Sequence, residues 1–124
     1  MNRALVVLIA ALAVSMASHA QSCLMQGTVF GKPSKECLTN VSLAKEAFDA
    51  LCTAWQKNPI PQIQMKTTYG NSCPEDYAGY CVTTFAGSGQ SMKHYFYKAQ
   101  MVDRYKKGCT PTGSPIASGV WHDR

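Results

Sequence analysis

The chain has no C-x-x-C pair. Its six cysteines are Cys23, Cys37, Cys52, Cys73, Cys81 and Cys109, and even the shortest gap, Cys73 to Cys81, holds seven residues. Structural zinc sites are usually built from close cysteine pairs, and dithiol redox centres from C-x-x-C. The spacing excludes both patterns, and no cofactor is expected. Long apolar runs are missing too. The longest, residues 4–14, is eleven residues, where a membrane-spanning helix needs about 20. Histidine is scarce: beyond residue 20 there are only His94 and His122. The stretch Gly87-Ser88-Gly89-Gln90-Ser91 lies near His94 but is neither a nucleophile elbow nor a phosphate loop. It reads as a glycine turn. Glu46 with Asp49, and Glu75 with Asp76, are the only close carboxylate pairs that could do glycosidase work. The first falls on a solvated helix face and the second in a turn beside Pro74.

What is present begins with an export signal. Met1-Asn2-Arg3 is a charged start, residues 4–14 are an uncharged apolar run, and Ser18-His19-Ala20 offers small residues where a signal peptidase reads. Cleavage is expected before Gln21, which leaves no stable transmembrane anchor and a periplasmic or extracellular domain over residues 21–124. Ala20-Gln21-Ser22-Cys23 could be read as a lipoprotein box, but Gln21 fits poorly and lipidating Cys23 would strand one of the six thiols. An even cysteine count in a short exported chain implies three disulfides. Six cysteines allow fifteen pairings. Loop closure favours Cys23–Cys37 and Cys73–Cys81, leaving Cys52–Cys109.

The pattern is that of a single small α+β domain. Residues 24–30 read as an extended piece followed by a turn at 31–34. Residues 42–57 form the clearest helix, with Ala44, Ala47, Phe48, Leu51, Cys52 and Trp55 on one face. Asn40 or Ser42 is placed to cap it, and Asn58-Pro59 to end it. Asn40-Val41-Ser42 is also a glycosylation sequon, for which capping is the simpler account. Residues 63–69 and 80–85 read as strands of a small antiparallel sheet. Residues 92–98 suit a third strand or a helix start, and 99–107 suit a second helix stopped by Gly108. From about 110 to 119 the tail is rich in Pro, Gly and Ser and reads as irregular, with Trp121 pinning its end. No internal repeat is visible.

Charge is uneven. Without Arg3, eleven Lys and Arg face seven Asp and Glu, a net +4 for residues 21–124. Residues 91–108 hold Lys93, Lys98, Arg104, Lys106 and Lys107 against Asp103, so five minus one gives +4 in that segment alone. Tyr95, Phe96, Tyr97 and Tyr105 interleave with these cations. Such a mixture can grip an anionic polymer, nucleic acid or cell-wall material, while its rings stack. The binding candidates are Lys98, Arg104, Tyr105, Lys106 and Lys107. The plainer account is that the rings are core and the lysines a solvated face.

Cys23, the segment Gly31 to Cys37 ending Ser34-Lys35-Glu36-Cys37, the amphipathic helix with Phe48, and Asn71-Ser72-Cys73-Pro74 form a recognisable series. Together they resemble the TrbM/KikA family of small exported proteins of bacterial conjugative transfer. The likeness spans roughly the first half of residues 21–124. Such proteins tend to carry a second cysteine soon after the first, which Leu24-Met25-Gln26-Gly27 does not supply. The resemblance implies a non-enzymatic accessory of a type IV secretion or conjugation apparatus, with an envelope or secretion protein as partner and no catalytic residues. A small secreted hydrolase, or an inhibitor of one, is the remaining expectation.

Overall fold

The computed structural model describes residues 21–109 and 116–124. The expected export signal and the start of the tail lie outside them. The elements are β1 (Ser22–Val29), β2 (Lys32–Asn40), α1 (Lys45–Thr53), β3 (Ile63–Gly70), β4 (Gly79–Phe85), β5 (Ser91–Phe96), a 3₁₀ turn (Ala99–Met101), α2 (Val102–Cys109) and β6 (Ala117–Asp123). The strands form one antiparallel sheet in the order β3-β1-β2-β5-β4-β6. The domain is thus α+β, with sheet dominating over helix.

The sheet order reveals a repeat that the sequence hides. β1-β2-α1-β3 and β4-β5-α2-β6 are the same unit: a hairpin, a helix, and a strand that returns to pair with the hairpin's first strand. The halves meet along β2 and β5. In the first half, Cys23 of β1 sits opposite Leu38 of β2 and Tyr69 of β3. In the second, Cys81 of β4 sits opposite His94 of β5 and Trp121 of β6. Leu38 and His94 are themselves paired across the β2–β5 junction, so an approximate two-fold axis passes between them. Each first strand is then tied to the end of its helix by a disulfide, Cys23–Cys52 and Cys81–Cys109.

The third bridge, Cys37–Cys73, joins β2 to the link between the halves. The pairings favoured from loop closure are therefore wrong in all three cases. Cys23 and Cys37 do lie on neighbouring strands, but Cys23 faces Leu38 and Cys37 faces Leu24. That offset of one residue turns the two thiols to opposite sides of the sheet. Cys81 turns to the helical side, whereas Cys73 is bonded from the other. Cys52 and Cys109 sit at the ends of helices in different halves.

Other expectations shift at element boundaries. β2 begins at Lys32 and so takes up most of the turn expected at 31–34. It forms because β1 pairs along its whole length, while β5 pairs only from Glu36 onward. Pro33 therefore sits where one side of the strand is free, as strand proline requires. A two-residue turn, Phe30 (φ 50°) and Gly31 (φ 76°), closes this hairpin, as twisted strands prefer. Asn40 does not cap α1: its Oδ1 accepts from Leu43 N at 2.7 Å and its Nδ2 donates to Leu43 O at 3.0 Å, shaping the turn before the helix. Ser42 Oγ instead accepts from Ser91 N at 2.8 Å. α2 runs through Gly108 rather than stopping there, and the end of the tail is strand β6 rather than irregular.

Both helices lie on one side of the sheet. Beneath α1, the core is Cys23, Met25, Leu38, Phe48, Cys52, Met65 and Met92, with Leu51 and Trp55 packed against it. Phe48 and Cys52 come from the helix face expected from the apolar periodicity. No helix among the described residues is long and apolar enough to cross a membrane.

Gly119 sets how closely α2 can approach β6. A Cβ added there would lie 1.8 Å from Cys109 O and 3.0 Å from Cys81 Sγ. The obstacle is backbone already fixed by a disulfide, so it cannot swing aside. Gly119→Ala is expected to lower unfolding stability by about 2 kcal/mol or more, as overpacking against a rigid neighbour does, read as a fall in the denaturant midpoint.

Candidate functional site

The sheet alternates its side chains between two faces, and this divides the basic, aromatic segment. On β5, His94 and Phe96 turn toward the helices, while Lys93 and Tyr95 turn away. Arg104, Tyr105, Lys106 and Lys107 belong to α2, on the helical side. Lys98 Nζ donates to Pro33 O at 2.8 Å. Tyr105 stacks on Phe96 at 4.2 Å, and its hydroxyl points to Met101 Sδ at 3.7 Å. Lys106 pairs with Asp123 at 3.3 Å; with the Trp121 ring N–H donating to it first and Lys106 second, Asp123 is held below the usual carboxylate range. Lys107 is exposed. Four of the five candidates, Arg104, Tyr105, Lys106 and Lys107, thus lie together on α2, while Lys93 and Tyr95 of the same segment turn to the other face of the sheet.

The face away from the helices carries a cluster of rings. Tyr80 stacks on His122 at 4.8 Å and lies 5.0 Å from Tyr95, which meets Tyr77 edge-on at 4.9 Å. Cations crown the cluster: Lys93 is 5.5 Å from the Tyr80 ring centre, Arg124 5.1 Å from Tyr77, and Lys35 4.5 Å from Tyr97. The link 71–78 covers one side of this face, anchored by Cys37–Cys73, by the Tyr97 hydroxyl donating to Pro74 O at 3.0 Å, and by the exposed Lys35–Asp76 pair at 3.5 Å. Burial, then the neighbouring Tyr77 and Tyr80, pushes the Tyr95 hydroxyl above its ordinary range. Beyond the rings the face stays open, with Val120 of β6 59% exposed.

The helical face holds a second cluster near the junction of the halves. His94 Nε2 lies 3.3 Å from Glu36 Oε2. The His94 ring stacks on Phe96 at 4.2 Å, and Phe96 stacks on Tyr105. Burial alone would raise the Glu36 carboxyl, but the hydrogen bond and charge of His94, with a further hydrogen bond from Trp55, hold it below 4.5. The sequence does not single out this pair, since 58 residues separate its members. The only signal is that each occupies a helix-facing position on a central strand. Next to it, a cleft of about 360 Å³ opens under α2.

In each of the two carboxylate pairs weighed from sequence, one member is held in an ion pair. Asp49 is taken by Lys45 at 2.7 Å, and Asp76 by Lys35. No group of three or more metal-ligating side chains occurs among the described residues. No family model, curated protein or solved structure matches the chain.

Glu36 gives a pH test of the inter-half cluster. Its folded pKa lies below its unfolded value of about 4.5. The stability it contributes is therefore fully present above that pH, and is lost as pH falls through the lower folded value. The wild-type melting temperature is expected to drop more steeply than that of Glu36→Gln between about pH 5 and about pH 3. Parallel curves would show that Glu36 contributes nothing to the acid limb.

Proposed function

We propose that the chain is a non-enzymatic exported binding protein, and that it holds a protein of the cell envelope or of a secretion apparatus on the open face of the sheet. The supporting observation is the ring cluster of half-buried Tyr77, Tyr80 and Tyr95 with exposed His122 stacked on Tyr80, crowned by Lys93 and Arg124 and bordered by exposed Val120. Aromatic and arginine side chains concentrate at the energetic centres of protein interfaces. Rings already braced against each other lose little entropy when a partner covers them. With cations on the rim, the face suits a partner whose apolar patch is ringed by acidic groups.

A place beside a type IV secretion or conjugation apparatus rests on the TrbM/KikA resemblance. One structural feature favours it: Cys37–Cys73 brings two of the resembling segments, Gly31 to Cys37 and Asn71 to Pro74, together in space. Binding of an anionic polymer through residues 91–108 has less support, because the cations of that segment are split between the two faces.

A photo-crosslinking residue at Val120 is expected to capture a defined protein in the native envelope, while one at Glu46 on α1 does not. Val120→Asp combined with Arg124→Glu, both at exposed positions, is expected to weaken that complex by about tenfold or more. Equal capture from both positions, or none from Val120, would reject the reading.

A further inference from the structure

The approximate two-fold axis allows the halves to be compared position by position. Aligning Cys23 with Cys81 and tracing the strand registers matches Met25 to Thr83, Leu38 to His94 and Met65 to Ala117. Aligning the helix-end cysteines, Cys52 and Cys109, matches Phe48 to Tyr105 and Leu51 to Gly108. In the first half, all five residues belong to the core or pack against it. In the second half, all five counterparts line the cleft under α2. Two methionines and a leucine have become threonine, alanine and glycine, and the space they would fill is open.

We infer that this cleft is a binding site for a short aliphatic carboxylate. Its volume, about 360 Å³, falls within the range typical of small-molecule sites. The side chains missing relative to the first half are aliphatic. The lining they leave, Ala117 on the sheet, Gly108 on α2 and the Cys81–Cys109 bridge between them, is apolar and suits a short aliphatic body. The head of the ligand is set by charge. Arg104 stands in the wall and joins none of the ion pairs among the described residues. His94 lines the same cleft with its ring oriented by Glu36, and no carboxylate is among the lining residues. A guanidinium next to an apolar slot selects a carboxylate over a neutral head. This site lies on the opposite side of the sheet from the proposed protein-binding face and does not depend on it.

The test is an NMR titration of the intact, oxidised protein with hexanoate, with hexanol as the neutral control. Hexanoate is expected to shift Thr83, His94 and the Ala117 methyl saturably, with hexanol about tenfold weaker or worse. Ala117→Met restores the residue found in the first half. It is expected to raise the melting temperature and abolish the titration. Arg104→Gln, at an exposed position that does not threaten folding, is expected to reduce hexanoate to the hexanol level. An acetylated tripeptide ending in leucine identifies the source: tighter binding than hexanoate assigns the site to a peptide C-terminus, and weaker binding to a free acid. Linear, unsaturated shifts, shifts outside the cleft, or undiminished binding in either variant would overturn the inference.

Discussion

The fold depends on two helix-to-strand disulfides, Cys23–Cys52 and Cys81–Cys109. Among the described residues, five of the ten buried apolar ones are cysteines, so much of what would be core volume in a larger domain is sulfur. A single sheet with two short helices on one side buries little else: among the described residues, Phe48 is the one aromatic ring fully buried in the core. Each bridge contributes on the order of 2–4 kcal/mol by restricting the unfolded chain. The net stability of a domain this size is about 5–15 kcal/mol. The bridges therefore account for much of the margin, and the molecule suits an oxidising compartment. They also fix the distance from each helix to its strand, which is why Gly119 can tolerate no side chain.

The sequence makes the second-order features of this scaffold legible and hides the first-order one. The strand at 63–69 and the helix face with Phe48 and Cys52 can be read from periodicity, the strand at 80–85 from its β-branched and aromatic residues, and the second helix from residues 99–107. β2 is not legible: its first half is polar, and it is a strand only because β1 templates it. The cysteine pairing cannot be reached from loop lengths. It depends on which face of the sheet each thiol occupies, and that is fixed by register. The repeat is hidden for a related reason. It is kept in connectivity and in the positions of four cysteines, while core positions such as Met25 with Thr83, Leu38 with His94 and Met65 with Ala117 differ in chemistry.

The same alternation explains why the basic, aromatic segment reads as one site in the sequence. Along the chain, Lys93, Tyr95, Arg104 and Lys107 are close. A strand sends neighbours to opposite faces, and the turn into α2 carries Arg104 and Lys107 to the helical side. Sequence proximity therefore gathers residues that the sheet separates. In their place the sheet gathers partners from far along the chain: Tyr80 and His122 with Tyr95 on one face, Glu36 with His94 on the other. Neither grouping has a local sequence signature.

The two-fold arrangement also bears on why one half can be hollow. A small domain can rarely give up core contacts, since Met→Ala at a buried site costs about 2–5 kcal/mol. Here Ala117 stands where the first half has Met65, and Gly108 where it has Leu51. The second half keeps its helix in place by other means: the Cys81–Cys109 bridge, the stack of His94, Phe96 and Tyr105, and the Lys106–Asp123 pair. It also shares the β2–β5 junction with a half whose core is filled. The packed half supplies stability and the braced half supplies space. An open cleft is therefore tolerable in this fold only on the side where rings and a disulfide, rather than aliphatic packing, hold the helix to the sheet.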